Sequence, residues 1–247
     1  MIATGRGQNL TYSIAEDLGV AIVTGTYSSN SPFPVEAELC KRYGVSRSIL
    51  REAVKMLTAK GLLGSRPRRG TWVQDEENWN LLDPDVLRWM LERKFSFALL
   101  IEFTQVRLAI EPKAAALAAA NAGPSDRAAI AAAIAGMIES ERLQDDPLEP
   151  DIAFHIAILH ASGNGFYSRL GELIEAALRF SIRMTNRQTG VRSVAEHKKV
   201  SDAIIAGDAK RAEAAMQALV EDALAQIRKA EQAASPRQRI RAAKARA

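Results

Sequence analysis

Apolar residues recur at helical spacing along almost the whole chain, and only between residues 62 and 73 does the rhythm change. Leu10 to Val23 predicts a first helix. Pro34 with Glu36 opens a short second one whose Ala37, Leu39 and Cys40 face inward, because proline fits a first turn and an early acid suits the helix dipole. Gly44 permits a sharp turn. Ser46 is a good N-cap, and Ile49, Leu50, Ala53, Val54 and Leu57 follow it at helical spacing until Lys60 and Gly61. Leu62 to Ser65 and Thr71 to Val73 then read as strands, joined by Arg66-Pro67-Arg68-Arg69-Gly70. Beyond Gln74 strand signals fade. Helices are predicted at Asp83 onward with Val86, Leu87 and Met90, from Phe97 to Ala122, and from a Ser125 cap to about Leu143. Pro147 to Ala161, Gly165 to about Arg187, Val194 to Ala206 and Asp208 to Lys229 supply the rest.

The order helix, turn, helix, two strands is that of a winged helix-turn-helix, a DNA reader. The apolar stripe of the Ser46 helix leaves Arg47, Ser48 and Arg51 on the opposite face. A recognition helix offers its N-terminal residues to base edges, and arginine bonds guanine O6 and N7 bidentately. In the wing, Arg66, Arg68 and Arg69 suit phosphates or a narrow minor groove, while Gly70 lets backbone come close. Any one of these arginines reads better as part of a solvated face. As an ordered set they predict double-stranded operator DNA as the partner.

Charge placement agrees. Residues 1–74 carry 10 Lys+Arg against 5 Asp+Glu, residues 75–226 carry 16 against 23, and residues 227–247 carry 7 against 1. A net charge of +4 therefore hides a basic head and tail around an acidic middle. The lone Cys40 excludes a disulfide framework and reads as core. With no apolar run of membrane-spanning length and no signal core in Met1 to Leu10, a cytoplasmic protein without a membrane partner is expected. The fold expected is mainly α: a winged head over 1–74, a linker over 75–82, a helical bundle over 83–230, and a basic, disordered tail over 231–247.

In the bundle, four polar residues stand out. Asp151 and His155 lie four apart on one helix face, a spacing that suits two ligands of one cation; His197 lies on a later helix. Arg107 falls amid apolar residues, where an inward guanidinium needs an anion or carboxylate. Each has a plainer alternative: Asp151 serving the helix dipole, His155 bonded to a backbone carbonyl, His197 on the surface, Arg107 paired with Glu111 one turn on. Only their joint occurrence favours a pocket.

PVEAELCKRYGVSRSILREAVKMLTAKGLLGSRPRRGTWV resembles the N-terminal domain of the GntR family of bacterial transcription regulators. That resemblance implies operator contacts from Arg47, Arg51 and Gly70, assisted by Ser46 and Ser48; Ala37 stands where members often carry a further DNA-contacting arginine. DIAFH, EHKKVSDAIIAGD and AAMQAL are similar to the FCD-like effector domain of the FadR-type branch. There an aspartate and three histidines hold a divalent metal such as zinc, nickel or manganese. The matching positions are Asp151, His155 and His197, with Leu219 where the last histidine is expected; His160 is outside the pattern. FTQVRLAIEP is similar to the branch segment whose arginine, here Arg107, faces the effector. WNLLDPDVLRWML is similar to members that respond to galactonate or gluconate, implying a sugar-acid carboxylate effector.

The expected function is a sequence-specific transcriptional regulator, a homodimeric repressor released by its effector. Two rivals are a metal-dependent enzyme built on the same three residues, with Glu196 as the nearest base, and an architectural DNA binder without a ligand. A basic arm from Ser235 to Ala247 suits nonspecific phosphate contacts.

Overall fold

The first unit, Met1–Phe95, is three helices and a hairpin with a fourth helix added. It belongs to a computed structural model that describes residues 5–93, 96–189 and 194–244. Helix α1 (Gly5–Val23) buries Ile14, Ala15, Leu18 and Ile22, one stripe at helical spacing. Helix α2 (Glu36–Tyr43) buries Leu39, while Ala37 is exposed, so the inward face expected for Ala37 is corrected: on so short a helix one large apolar residue meets the core. Gly44 caps α2 at φ 64°. Helix α3 (Arg47–Ala59) buries Leu50, Ala53 and Leu57. Ser46 holds the N-cap backbone geometry but makes no side-chain cap; its Oγ lies 2.9 Å from Ser48 Oγ instead.

Gly61 ends α3 at φ 79°, and a Cβ there would stand 2.2 Å from the Asn78 carbonyl oxygen, so only glycine fits. Strands β1 (Leu63–Arg66) and β2 (Gly70–Val73) pair antiparallel, Leu63 opposite Val73 and Arg66 opposite Gly70.

Helix α4 (Pro84–Arg93) packs on α1 and belongs to this first unit, whereas the expected bundle began at residue 83. The reason is specific contact. The Trp89 ring lies where a Cβ on Gly19 would be, 2.4 Å away. Lys60 donates to Asp83 at 2.8 Å and to Asp85 at 2.9 Å, Arg88 to Glu16 at 2.7 Å, and Tyr12 to Asp85 at 2.8 Å.

The second unit, Ser96–Ala247, is all helical among the described residues. Its members are α5 (Phe97–Asn121), α6 (Pro124–Leu143), α7 (Leu148–Ala161), α8 (Gly165–Arg169), α9 (Gly171–Thr189), α10 (Val194–Ile205) and α11 (Ala209–Lys244). The helix expected from Gly165 to Arg187 is two, because the chain breaks at Leu170 just before Gly171, a weak helix former. Small alanines on α5, Ala114, Ala115, Ala118 and Ala119, let α11 lie close along it. Helix α11 continues to Lys244, so the segment expected to be a disordered tail from residue 231 is helical; its Ala, Arg, Gln and Lys are strong helix formers despite Pro236. Residues 245–247 lie outside the described residues. No described helix is long and apolar enough to cross a membrane.

Candidate functional site

Two groups of residues carry chemistry, one in each unit. In the first, the buried stripe of α3 turns Ser46, Arg47, Ser48 and Arg51 outward, all exposed. Both arginines lean on one acid: Arg51 Nε donates to Glu36 Oε2 at 2.9 Å, and Arg47 Nε lies 3.7 Å from Oε1.

The wing presents Arg66, Arg68 and Arg69, again exposed. Arg69 stacks on the Trp72 ring, 4.1 Å from its centroid, and Trp72 donates to Gln74 at 3.1 Å. That ring also covers Gly64, where a Cβ would stand 2.3 Å from it. The hairpin is thereby stiffened below its tip. Arg68 holds φ 66° and Gly70 φ 81°. A left-handed arginine at a loop tip is strained, the kind of backbone found where function fixes a position.

Between α3 and the wing runs a cleft of about 690 Å³, floored by Phe33, Leu39 and Leu50 and rimmed by Arg51, Lys55 and Arg66. Lys55 was not singled out in the sequence, although it lies one turn beyond Arg51 on the same helix face.

The second group is buried. Asp151, His155 and His197 sit on α7 and α10 and are at most 2% exposed. Their donor atoms all lie within 4.8 Å of one another. His155 Nε2 is 3.3 Å and His197 Nε2 3.6 Å from Asp151 Oδ1, yet all three of these atoms lack a hydrogen-bond partner. Phe154 closes one side, its ring 5.2 Å from that of His197.

Buried polar atoms without partners are costly, so convergent ones mark a place for something absent from the chain itself. One carboxylate oxygen and two imidazole nitrogens fit a divalent ion. His155 turns its other nitrogen, Nδ1, to Glu111 Oε2 at 2.6 Å, the carboxylate backing typical of a metal-ligating histidine.

Glu111 also holds Arg107, whose Nε donates to Oε1 at 2.5 Å. This is the plainer of the two expectations for Arg107, but not the whole of it. Its Nη1 is buried and unpartnered. Burial pushes the Glu111 carboxyl upward, but Arg107 and His155 outweigh it and bring it down to about 2. Burial works against a charged His155, while Glu111 and Asp151 favour it and leave its pKa raised. Asp151 is likewise lowered against its burial by the two imidazoles.

Asp151, His155 and His197 thus gather, and Glu111, which sequence reading paired only with Arg107, links Arg107 to His155. His197 is buried rather than on the surface. His160 is exposed, and Leu219 is a buried residue of α11. Glu196 is exposed and accepts a bond from Lys199 at 2.8 Å, whereas His197 next to it is buried.

Comparison with known proteins supplies the class. Residues 10–73 match the model of bacterial regulatory proteins of the gntR family, and residues 102–222 match the FCD domain. The galactonate operon transcriptional repressor of Escherichia coli (strain K12) is 36% identical over 210 residues, 84% of this chain and 92% of its own. The HTH-type transcriptional regulator YieP of the same strain is 35% identical over 217 residues, 86% and 93%. In structure, Lar, which controls the expression of the Listeria monocytogenes agr system, aligns with TM-score 0.57 at 19% identity over 89% of this chain and 96% of its own, a likeness of fold. With a relative this similar across most of both chains, and models matched in both units, this chain belongs to the GntR family of DNA-binding bacterial transcriptional regulators, with an FCD domain, and is a regulator rather than an enzyme.

Proposed function

We propose that the protein is a cytoplasmic homodimeric repressor whose operator binding is relieved by a sugar acid of the galactonate or gluconate kind. The observation that carries the reading is a set of buried, unpartnered atoms: Nη1 of Arg107, which Glu111 links to His155, and the converging donor atoms of Asp151, His155 and His197. A guanidinium is suited to a carboxylate, which it grips by paired hydrogen bonds. A divalent ion such as zinc, nickel or manganese, held by Asp151, His155 and His197, would supply a Lewis-acidic centre for the carboxylate and hydroxyl oxygens of an aldonate. The similarity to a galactonate operon repressor supports the same ligand class.

In the first unit, Arg47 and Arg51, with Ser46 and Ser48, read base edges in the major groove. Arg66, Arg68, Arg69 and Gly70 of the wing take the neighbouring backbone and minor groove. Two copies place two recognition helices on half-sites of a pseudo-palindrome. The effector favours a dimer arrangement that no longer matches that spacing. A hundredfold drop in operator affinity requires a coupling of about 2.7 kcal/mol, within the usual range.

The test is a thermal-shift screen of sugar acids on metal-stripped and metal-replete protein, since a ligand of the folded state raises its stability by mass action. One aldonate should raise the midpoint, and His155→Ala should abolish that rise while leaving DNA binding intact. No shift with any sugar acid, with or without metal, would overturn the sugar-acid assignment, and an architectural binder without a ligand would require that no small molecule shift stability or operator affinity.

A further inference from the structure

We infer that Glu36 is a positioning residue for the two base-reading arginines, and that its charge holds down binding to DNA of the wrong sequence. The inference rests on the reading of Arg47 and Arg51 as base readers.

Glu36 is the first residue of α2, and Val35 before it offers no side-chain cap. The carboxylate therefore stands at a helix N-terminus, where negative charge is favoured and the backbone that carries it is fixed. From there it reaches across the turn to α3: 2.9 Å to Arg51 Nε and 3.7 Å to Arg47 Nε, one oxygen to each. Both arginines are otherwise long, exposed side chains, 64% and 74% exposed. An arginine held through Nε keeps its terminal nitrogens for a bidentate bond to guanine O6 and N7.

Charge gives the second half of the argument. Two bare arginines attract any phosphate strand, and that attraction carries no sequence information. A carboxylate between them offsets part of their charge toward phosphates. It costs little where guanine acceptors accept the guanidinium protons, and it repels the duplex where they do not. Rejection of the wrong site is then built into the reader itself.

The experiment begins by selecting duplexes from a random library with the wild-type protein. Affinities of wild type, Glu36→Gln and Glu36→Asp are then measured for the enriched duplex and for its scrambled counterpart over a range of salt. Glu36→Gln should bind the scrambled duplex about tenfold more tightly, with a salt slope steeper by about 0.9, the change expected for one more neutralised phosphate. Its preference for the enriched duplex should fall by at least the same factor. Glu36→Asp keeps the charge but is one methylene shorter, so it should keep scrambled binding weak while losing enriched binding. An unchanged ratio and slope in Glu36→Gln overturns the inference, as does equal weakening on both duplexes. If the wild type enriches no sequence, the base-reading assignment fails and takes this one with it; enrichment with an unmoved Glu36→Gln ratio defeats this one alone.

Discussion

The two units treat charge in opposite ways. In the first, Arg47, Arg51 and the wing arginines stand in solvent over a closed apolar core, and their ion pairs are exposed. In the second, Arg107, Glu111, Asp151, His155 and His197 are at most 1–2% exposed, and several of their polar atoms lack partners. Under the proposed function the difference follows from ligand size. A duplex must be met on a surface by cations that shed little water, so affinity there is cheap and salt-dependent. A small ligand is enclosed, and the fold has to bear the cost of burying the groups that will recognise it. The first kind of site should tolerate mutation in stability and lose binding; the second should lose stability first.

Arg107→Ala is the sharpest test of that contrast. It leaves the Glu111 carboxylate buried without its main counter-charge and should cost about 3–5 kcal/mol in urea unfolding of the helical unit. A cost near zero would put the pair in a wet, forgiving site and erase the distinction. Arg51→Ala should do the reverse: about 1–3 kcal/mol of specific DNA binding lost in a titration with the selected duplex, with an unchanged urea midpoint.

Asp85 offers an intermediate case, a partly buried acid within the DNA-reading unit. Burial raises its pKa, but Lys60, Tyr12 and Arg88 outweigh this and leave it below the ordinary carboxylate value. A lowered folded pKa stabilises above the unfolded value and loses that contribution as pH falls through the folded one. Asp85→Asn should therefore cost about 1–2 kcal/mol at neutral pH, and the gap to wild type should shrink below about pH 4. A gap that persists in strong acid would show that packing, not charge, docks α4.

Arg68→Gly is the smallest. Relieving φ 66° should add about 1 kcal/mol of stability, while loss of one wing cation should reduce the salt slope of DNA binding by about 0.9. A variant less stable than wild type would mean the arginine is held by contacts rather than by strain.

Most helices were legible because each buries an apolar stripe that repeats at helical spacing, as Leu50, Ala53 and Leu57 do on α3. A stripe tells which face is buried and not against what. Asp83 onward thus read as the opening of the bundle, when the Trp89–Gly19 contact and the Lys60–Asp83–Asp85 ion pairs hold α4 to the first unit. Leu170 sits in rhythm, so the break before Gly171 was invisible. In the site, Asp151 and His155 were legible as neighbours on one helix. Glu111 on His155 was not, because the two lie 44 residues apart and no local pattern links them. Glu36 was read only as an acid suited to a helix start; its grip on Arg51 spans the turn at Gly44.

The most direct measurement of the whole account is fluorescence anisotropy of a labelled, selected operator duplex bound to metal-replete protein while galactonate or gluconate is titrated in. The account predicts that one of these sugar acids lowers operator affinity by tenfold or more, as a coupling of about 1.4 kcal/mol or above requires, over the same concentrations that raise the thermal midpoint. An effector that raises the midpoint without moving the DNA isotherm would contradict it.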